Sequence, residues 1–270
     1  MTTSPLRVAV VGSGPAGFYA AGHLLSADLP VQVDLIERLP TPWGLVRLGV
    51  APDHPKIKTV SRAFEKIAAK DGFRFLGNVE VGRDVSHEEL AARYDAVVYT
   101  VGAQTDRRLG IPGEDLPGSI PATALVAWYN GHPDFADLDP DLSGKCAVVI
   151  GAGNVAVDVA RMLALTEAEL EATDTADAAI AAILGSGIEE IVLLARRGPV
   201  QAAFTTPEAI ELQELAGCDT VLDPKELELD PASEAALVGD TGAERNLEVL
   251  REIAATPPAG KGKTLRLRFC

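Results

Sequence analysis

Two short glycine-spaced runs carry the residue types needed to hold a pyrophosphate against backbone. Gly12-Ser13-Gly14-Pro15-Ala16-Gly17 follows the apolar run Val8-Ala9-Val10-Val11 and leads into the apolar stretch 18–25. Gly151-Ala152-Gly153-Asn154-Val155-Ala156 follows Ala147-Val148-Val149-Ile150 and leads into 157–165. In such a turn the first glycine makes the tight bend and the second lets a diphosphate approach. The third, or an alanine in its place, lets the helix lie close on the strand, so that phosphates meet a helix N-terminus. One match alone is weak evidence. Two of them, each between an apolar run and an apolar helix, imply two dinucleotides on one chain, usually a flavin and a nicotinamide.

The residues at the ends of the following strands divide the two sites. Residues 31–37 read as a strand ending in Glu37, twenty residues past Gly17, where a carboxylate meets the hydroxyls of an adenosine ribose. After the second fingerprint the next strand, 190–195, ends in Arg196-Arg197 with no acid. Two guanidiniums there suit a 2′-phosphate, which a carboxylate would repel. The first site is therefore expected to take an unphosphorylated ribose such as that of FAD, and the second NADP(H). Glu37 also reads as a solvated strand end, and the arginine pair as a solvated surface pair.

The elements that must position these turns alternate between strand and helix, which favours parallel sheets. The pattern predicts a helix after Pro55 and strands at 73–76 and 79–81. A helix at 87–92 and the strand 96–101 follow, then a linker punctuated by Ile111-Pro112-Gly113 and Leu116-Pro117-Gly118, and a helix at 122–129. The Ala/Glu/Asp-rich region 166–184 is helical by propensity, 231–235 starts a helix that gives way to a loop, and 265–270 alternates as a strand. The fold class is α/β, with two Rossmann-like dinucleotide-binding domains over 1–105 and 106–270.

Composition bounds the rest. The 270 residues are 47% hydrophobic and 23% charged, ordinary globular usage, and no apolar run is long enough to span a bilayer. A polar leader of a few residues precedes the first strand, which gives the expectation of a cytoplasmic protein without a signal peptide. Cys146, Cys218 and Cys270 lie far apart with no metal-ligand spacing, so a disulfide reductase, which needs a redox cysteine pair, is disfavoured and no metal site is expected. A net charge of −15 argues against nucleic acid. Between Arg38 and Arg74, however, eight Lys/Arg stand against three acids. Lys58, Arg62, Lys66 and Lys70 recur every fourth residue opposite Ile57, Val60, Phe64 and Ile67. That stripe reads as a solvated face or as a docking surface for an acidic protein.

Beyond these spacings, GSGPAGFY at 12–19, Glu37-Arg38-Leu39-Pro40 and above all WGLVRLGVAPDHP at 43–55 resemble the adrenodoxin reductase type of NADPH–ferredoxin reductase. So do Trp128-Tyr129-Asn130-Gly131, the run 153–161 and the run 196–205. The resemblance implies a two-domain, glutathione-reductase-type architecture that passes a hydride from NADPH to FAD and then single electrons to a ferredoxin. It implies FAD contacts at Ala16, Glu37, Leu45 and Val81, and NADP contacts at Gly153, Asn154, Val155, Ala156, Arg196, Arg197 and Glu208. His54 and Glu211 match an active-site pair. From the residues alone His54 reads equally well as a loop histidine and Glu211 as an exposed helix glutamate. Members of the family continue past the position where this sequence stops, so the flavin domain is expected to be incomplete and flavin weakly held. The alternative is a non-catalytic nucleotide-binding module of the same fold.

Overall fold

A computed structural model describes residues 4–103 and 105–270, gathered into two compact units. The first comprises residues up to Val50 and His54–Ile111; the second comprises Ala51–Asp53 and Pro112–Cys270. In the first unit the elements run β1 (Leu6–Val11), α1 (Pro15–Leu24), β2 (Val31–Ile36), α2 (Leu45–Leu48), α3 (Pro55–Lys58), α4 (Ser61–Ala68), β3 (Phe73–Leu76), α5 (His87–Arg93) and β4 (Ala96–Tyr99). They form a parallel sheet in the order β3-β2-β1-β4.

Its strands are apolar on both faces, as a sheet covered on both sides requires. Val8, Val10, Val33 and Leu35 point into one cluster with Phe18 of α1 and Phe64 of α4, whose rings stack 4.8 Å apart. Ala9, Val11 and Ile36 point into the other with Leu90 of α5. α5 begins with a reciprocal capping box between Ser86 and Glu89.

Two expectations for this unit need correction. The helix after Pro55 is broken into α3 and α4, because β-branched Thr59 and Val60 are poor helix interiors and the Thr59 hydroxyl donates to the Lys56 carbonyl at 2.6 Å. The strand over 79–81 is absent; a single bridge joins Val81 to Val85 around a Gly82 with φ of +99°.

The second unit continues with α6 (Ala122–Tyr129), β5 (Cys146–Ile150), α7 (Asn154–Ala164), α8 (Glu167–Glu171), α9 (Asp177–Leu184), β6 (Glu190–Ala195), α10 (Thr206–Glu211), β7 (Cys218–Leu222), α11 (Pro231–Leu237), α12 (Thr241–Ala255) and β8 (Lys263–Phe269). The sheet is again parallel, ordered β5-β6-β8-β7. Ile191, Leu193, Leu265 and Leu267 bury one face in a core with Val157, Ala160 and Leu163 of α7 and Leu247 and Leu250 of α12. The region 166–184 forms two helices rather than one; Thr166 and Glu169 cap the first in a capping box, and Ala176 N–H turns back to the Tyr129 carbonyl before the second. Residues 231–237 are all helical, and Asp240 then caps α12 by accepting from the N–H groups of Gly242 and Ala243.

Both units bring a helix hard against the strand before it. A Cβ on Gly17 would strike the Gly12 carbonyl oxygen, and one on Gly12, at φ +101°, would meet the Thr100 carbonyl oxygen at 2.6 Å. A Cβ on Gly14 would meet nothing within 4 Å, and its backbone is extended. Gly17→Ala is therefore expected to cost about 3 kcal/mol by overpacking, and Gly14→Ala to stay within about 0.5 kcal/mol. Denaturant unfolding followed by circular dichroism checks both; equal stability of the two variants would contradict the packing of this turn.

Candidate functional site

In the first unit Gly12 and Gly14 lie in the β1–α1 turn and Gly17 in the first turn of α1, which opens with Gly14 as its N-cap and Pro15 at its first position. No side chain caps this helix, so its first N–H groups stay available to an anion. The Thr100 hydroxyl lies 2.8 Å from the Gly12 carbonyl and 3.0 Å from that of Val11, which closes the far side of the turn, while the Cβ side of Gly14 stays open. Ala16 is exposed on the first turn of α1.

Glu37 follows the last residue of β2. Its carboxylate accepts from the Ser13 N–H at 3.0 Å, the Ser13 hydroxyl at 2.7 Å and the Leu39 N–H at 3.0 Å. The acid is thus held at the fingerprint by three donors; Oε2 takes both from Ser13, and Oε1, which takes only Leu39 N–H, keeps acceptor capacity for a further hydroxyl. The Trp43 N–H donates to the Ser13 carbonyl at 3.0 Å, and Trp43 itself sits at φ +93°, a conformation L side chains rarely adopt. Gly44 follows at φ +48°, where a Cβ would meet the Gly14 Cα at 2.9 Å. The segment 43–44 thus lies directly on the fingerprint loop. The next residue, Leu45, presents its side chain to solvent at 68% exposure. Val81, by contrast, is half-buried against the Ala9–Val11–Ile36 cluster. His54 is half-buried at the start of α3, with its carbonyl accepting from Ile57 N–H.

In the second unit Gly151 follows β5 and Gly153 caps α7, again with no side-chain cap and no atom within 4 Å of a Gly153 Cβ. Ala156 takes the third position of the fingerprint and approaches Gly151 closely, 3.3 Å from where a Cβ would stand. Val155 is exposed at the helix start. Asn154 turns its side-chain carbonyl to the Thr205 N–H at 2.9 Å, and Ala203 N–H donates to the Ala152 carbonyl at 2.6 Å. The segment after β6 is thereby fastened to the fingerprint. Arg196 and Arg197, the first residues after β6, are both exposed.

α10 carries Glu208 and Glu211. Thr206 donates to Asn246 at 2.6 Å, and Asn246 donates to the Phe204 carbonyl at 2.8 Å, so its N-terminus is tied to α12 as well as to Asn154. The spacing patterns gave no role to Arg161, yet its guanidinium is 8% exposed and meets carboxylates from three segments. It pairs with Asp53 and with Glu211, lies 3.5 Å from Glu208 and 4.0 Å from Asp158. The signal was present in the sequence: Asp158 and Arg161 are the charged pair on a helix whose other residues from Ala156 to Ala164 are apolar. Tyr129 is buried beside this group. Burial first, then the charges of Asp158 and Asp53, push its phenol well above the usual range, so it stays protonated.

The family profile described as pyridine nucleotide-disulphide oxidoreductase matches residues 6–198. The NADPH-ferredoxin reductase FprA of Mycobacterium tuberculosis is 54% identical over an alignment that covers 98% of this chain and 59% of that protein. The mitochondrial NADPH:adrenodoxin oxidoreductase of Arabidopsis thaliana is 45% identical over 94% of this chain and 53% of its own length. The solved structure of Mycobacterium tuberculosis FprA in complex with NADPH superposes with a TM-score of 0.93 at 54% identity, covering 98% of this chain and 60% of that one. The chain thus spans 59% of the length of the FprA relative. With a profile match over most of its length, the chain belongs to the pyridine nucleotide-disulphide oxidoreductase family.

Proposed function

We propose that the first unit binds FAD and the second NADP(H), and that the protein to which this chain belongs is an NADPH–ferredoxin reductase. One observation carries the reading. Each unit has a strand–glycine turn–helix with an uncapped N-terminus and an open second glycine, but one is followed by an acid and the other by two arginines. The named relatives are NADPH-dependent reductases of ferredoxin and adrenodoxin, in keeping with that division.

The residues fit the two groups. In the first unit the N–H groups after Gly14 take the diphosphate of FAD, and Glu37, aimed by Ser13 and Leu39, takes the adenosine ribose. Leu45, exposed and apolar, adds a further FAD contact, with Ala16 and Val81. In the second unit Gly151, Gly153, Asn154, Val155 and Ala156 take the diphosphate of NADP, while Arg196 and Arg197 pair with its 2′-phosphate. Glu208 and Glu211 serve the nicotinamide end, Glu211 acting with His54 as the active-site pair. When bound, the two cofactors supply hydride transfer and its division into single electrons; the protein contributes binding, orientation and electrostatics.

Among the described residues no helix is long and apolar enough to cross a membrane. We assign the protein to the cytoplasm, with a ferredoxin as its macromolecular partner. The docking face is the basic stripe: Arg62, Lys66 and Lys70 are exposed along and just after α4, with Lys58 half-buried on α3. Phe64 and Ile67 on the other side of α4 pack on α1.

Two outcomes test these assignments. NADPH is expected to bind more tightly than NADH. Arg197→Ala, which loses one charge-assisted contact, should reduce that preference about tenfold. Equal affinities for the two nucleotides in the unmutated chain, measured by calorimetry, would remove the 2′-phosphate assignment. For the docking face, Arg62→Glu with Lys66→Glu should slow association with an acidic ferredoxin and flatten its dependence on salt. NADP⁺ binding by the same variant should be unchanged. Normal association of the charge-reversed protein at low salt would reduce the stripe to a solvated face.

A further inference from the structure

The clustering of acids around Arg161 exceeds what a structural ion pair requires. A buried guanidinium needs one well-placed carboxylate to be tolerated, and as a source of stability such a pair competes poorly with apolar packing. Here four carboxylates converge on one guanidinium, from the segment 51–53, from α7 itself and from α10. Arginine suits this task because its planar fork presents donors on two sides at once. One terminal nitrogen faces Asp53 and the other faces Glu211, Glu208 and Asp158.

The placement along α7 matters as much as the charge. Asn154, the first residue of α7, holds the start of α10 through the Thr205 N–H. Arg161 lies seven residues later, about two turns along the same helix, and holds the acids of α10. Glu208 and Glu211 are three residues apart and share one face of a six-residue helix, where like charges repel. The helix whose N-terminus faces the diphosphate therefore also fixes, from its far half, the two acids assigned to the nicotinamide end.

We propose that Arg161 is a positioning residue of the nucleotide site: it holds Glu208 and Glu211 side by side and in fixed orientation toward the nicotinamide end, and ties residue 53 to the same point. The proposal rests on the nucleotide reading of the second unit and extends it to a residue remote from the phosphates. It separates the two ends of the dinucleotide. Arg161 sets the affinity of the nicotinamide end and leaves the 2′-phosphate end alone.

The test compares NADP⁺ with 2′,5′-ADP, which carries the 2′-phosphate but no nicotinamide, by calorimetric titration of the full chain. Arg161→Gln should weaken NADP⁺ about tenfold and leave 2′,5′-ADP unchanged. In a Glu211→Gln background the same change should have a much smaller effect on NADP⁺, because the two residues act through one contact. If Arg161→Gln does not fold, Arg161→Lys carries the same cycle, since a single ammonium cannot serve both sides. A parallel loss of both ligands, no loss of either, or full additivity with Glu211→Gln would make Arg161 an ordinary structural cation and overturn the proposal. Failure of the unmutated chain to bind 2′,5′-ADP would instead strike the nucleotide reading itself.

Discussion

The molecule depends on how closely a helix can approach the strand that precedes it. At the first turn the approach is backbone on backbone: Gly17 sits where any side chain would collide with the Gly12 carbonyl, and Thr100 closes the other side through its hydroxyl. The Cβ side of Gly14, at the N-terminus of α1, stays open, with nothing within 4 Å. The second turn reaches the same end with Ala156 in the third position and an open Gly153. Neither helix has a side-chain cap, so uncapped N–H groups and the helix dipole converge at each turn.

What differs between the units is the material brought up to that turn. In the first, Glu37 is drawn in by Ser13, and the strained Trp43-Gly44 segment is laid against Gly14. In the second, the chain after β6 is fastened back by Ala152 and Asn154, which sets α10 and its acids in place. Arg161 then gathers those acids from the side. One turn geometry, repeated, is thus flanked by an acid in the first unit and by two arginines and a cluster of acids in the second.

The elements that could be read from sequence are those whose signal is local. β3, α6 and β6 fall where periodicity put them, since each is a short apolar run between clear turn residues. The fingerprints were legible because glycine at fixed spacing reports a backbone requirement. The break at Thr59–Val60 was hidden by a charge pattern that stays helical across it. β7, the sequence Cys218-Asp219-Thr220-Val221-Leu222, gave no alternation because Asp219 is turned to the backbone N–H groups of Ala259, Gly260 and Lys261. Arg161 stood inside a recognised motif without a role, because its partners come from 53, 208 and 211, a set that only tertiary structure assembles.

The central claim is that one chain holds two different dinucleotides at two separate turns. Titrating FAD and NADP⁺ into the same protein, each alone and each with the other at saturation, tests it most directly. The account predicts one NADP⁺ and one more weakly held FAD per chain, with neither displacing the other. Mutual displacement, or heat from only one of the two nucleotides, would contradict it.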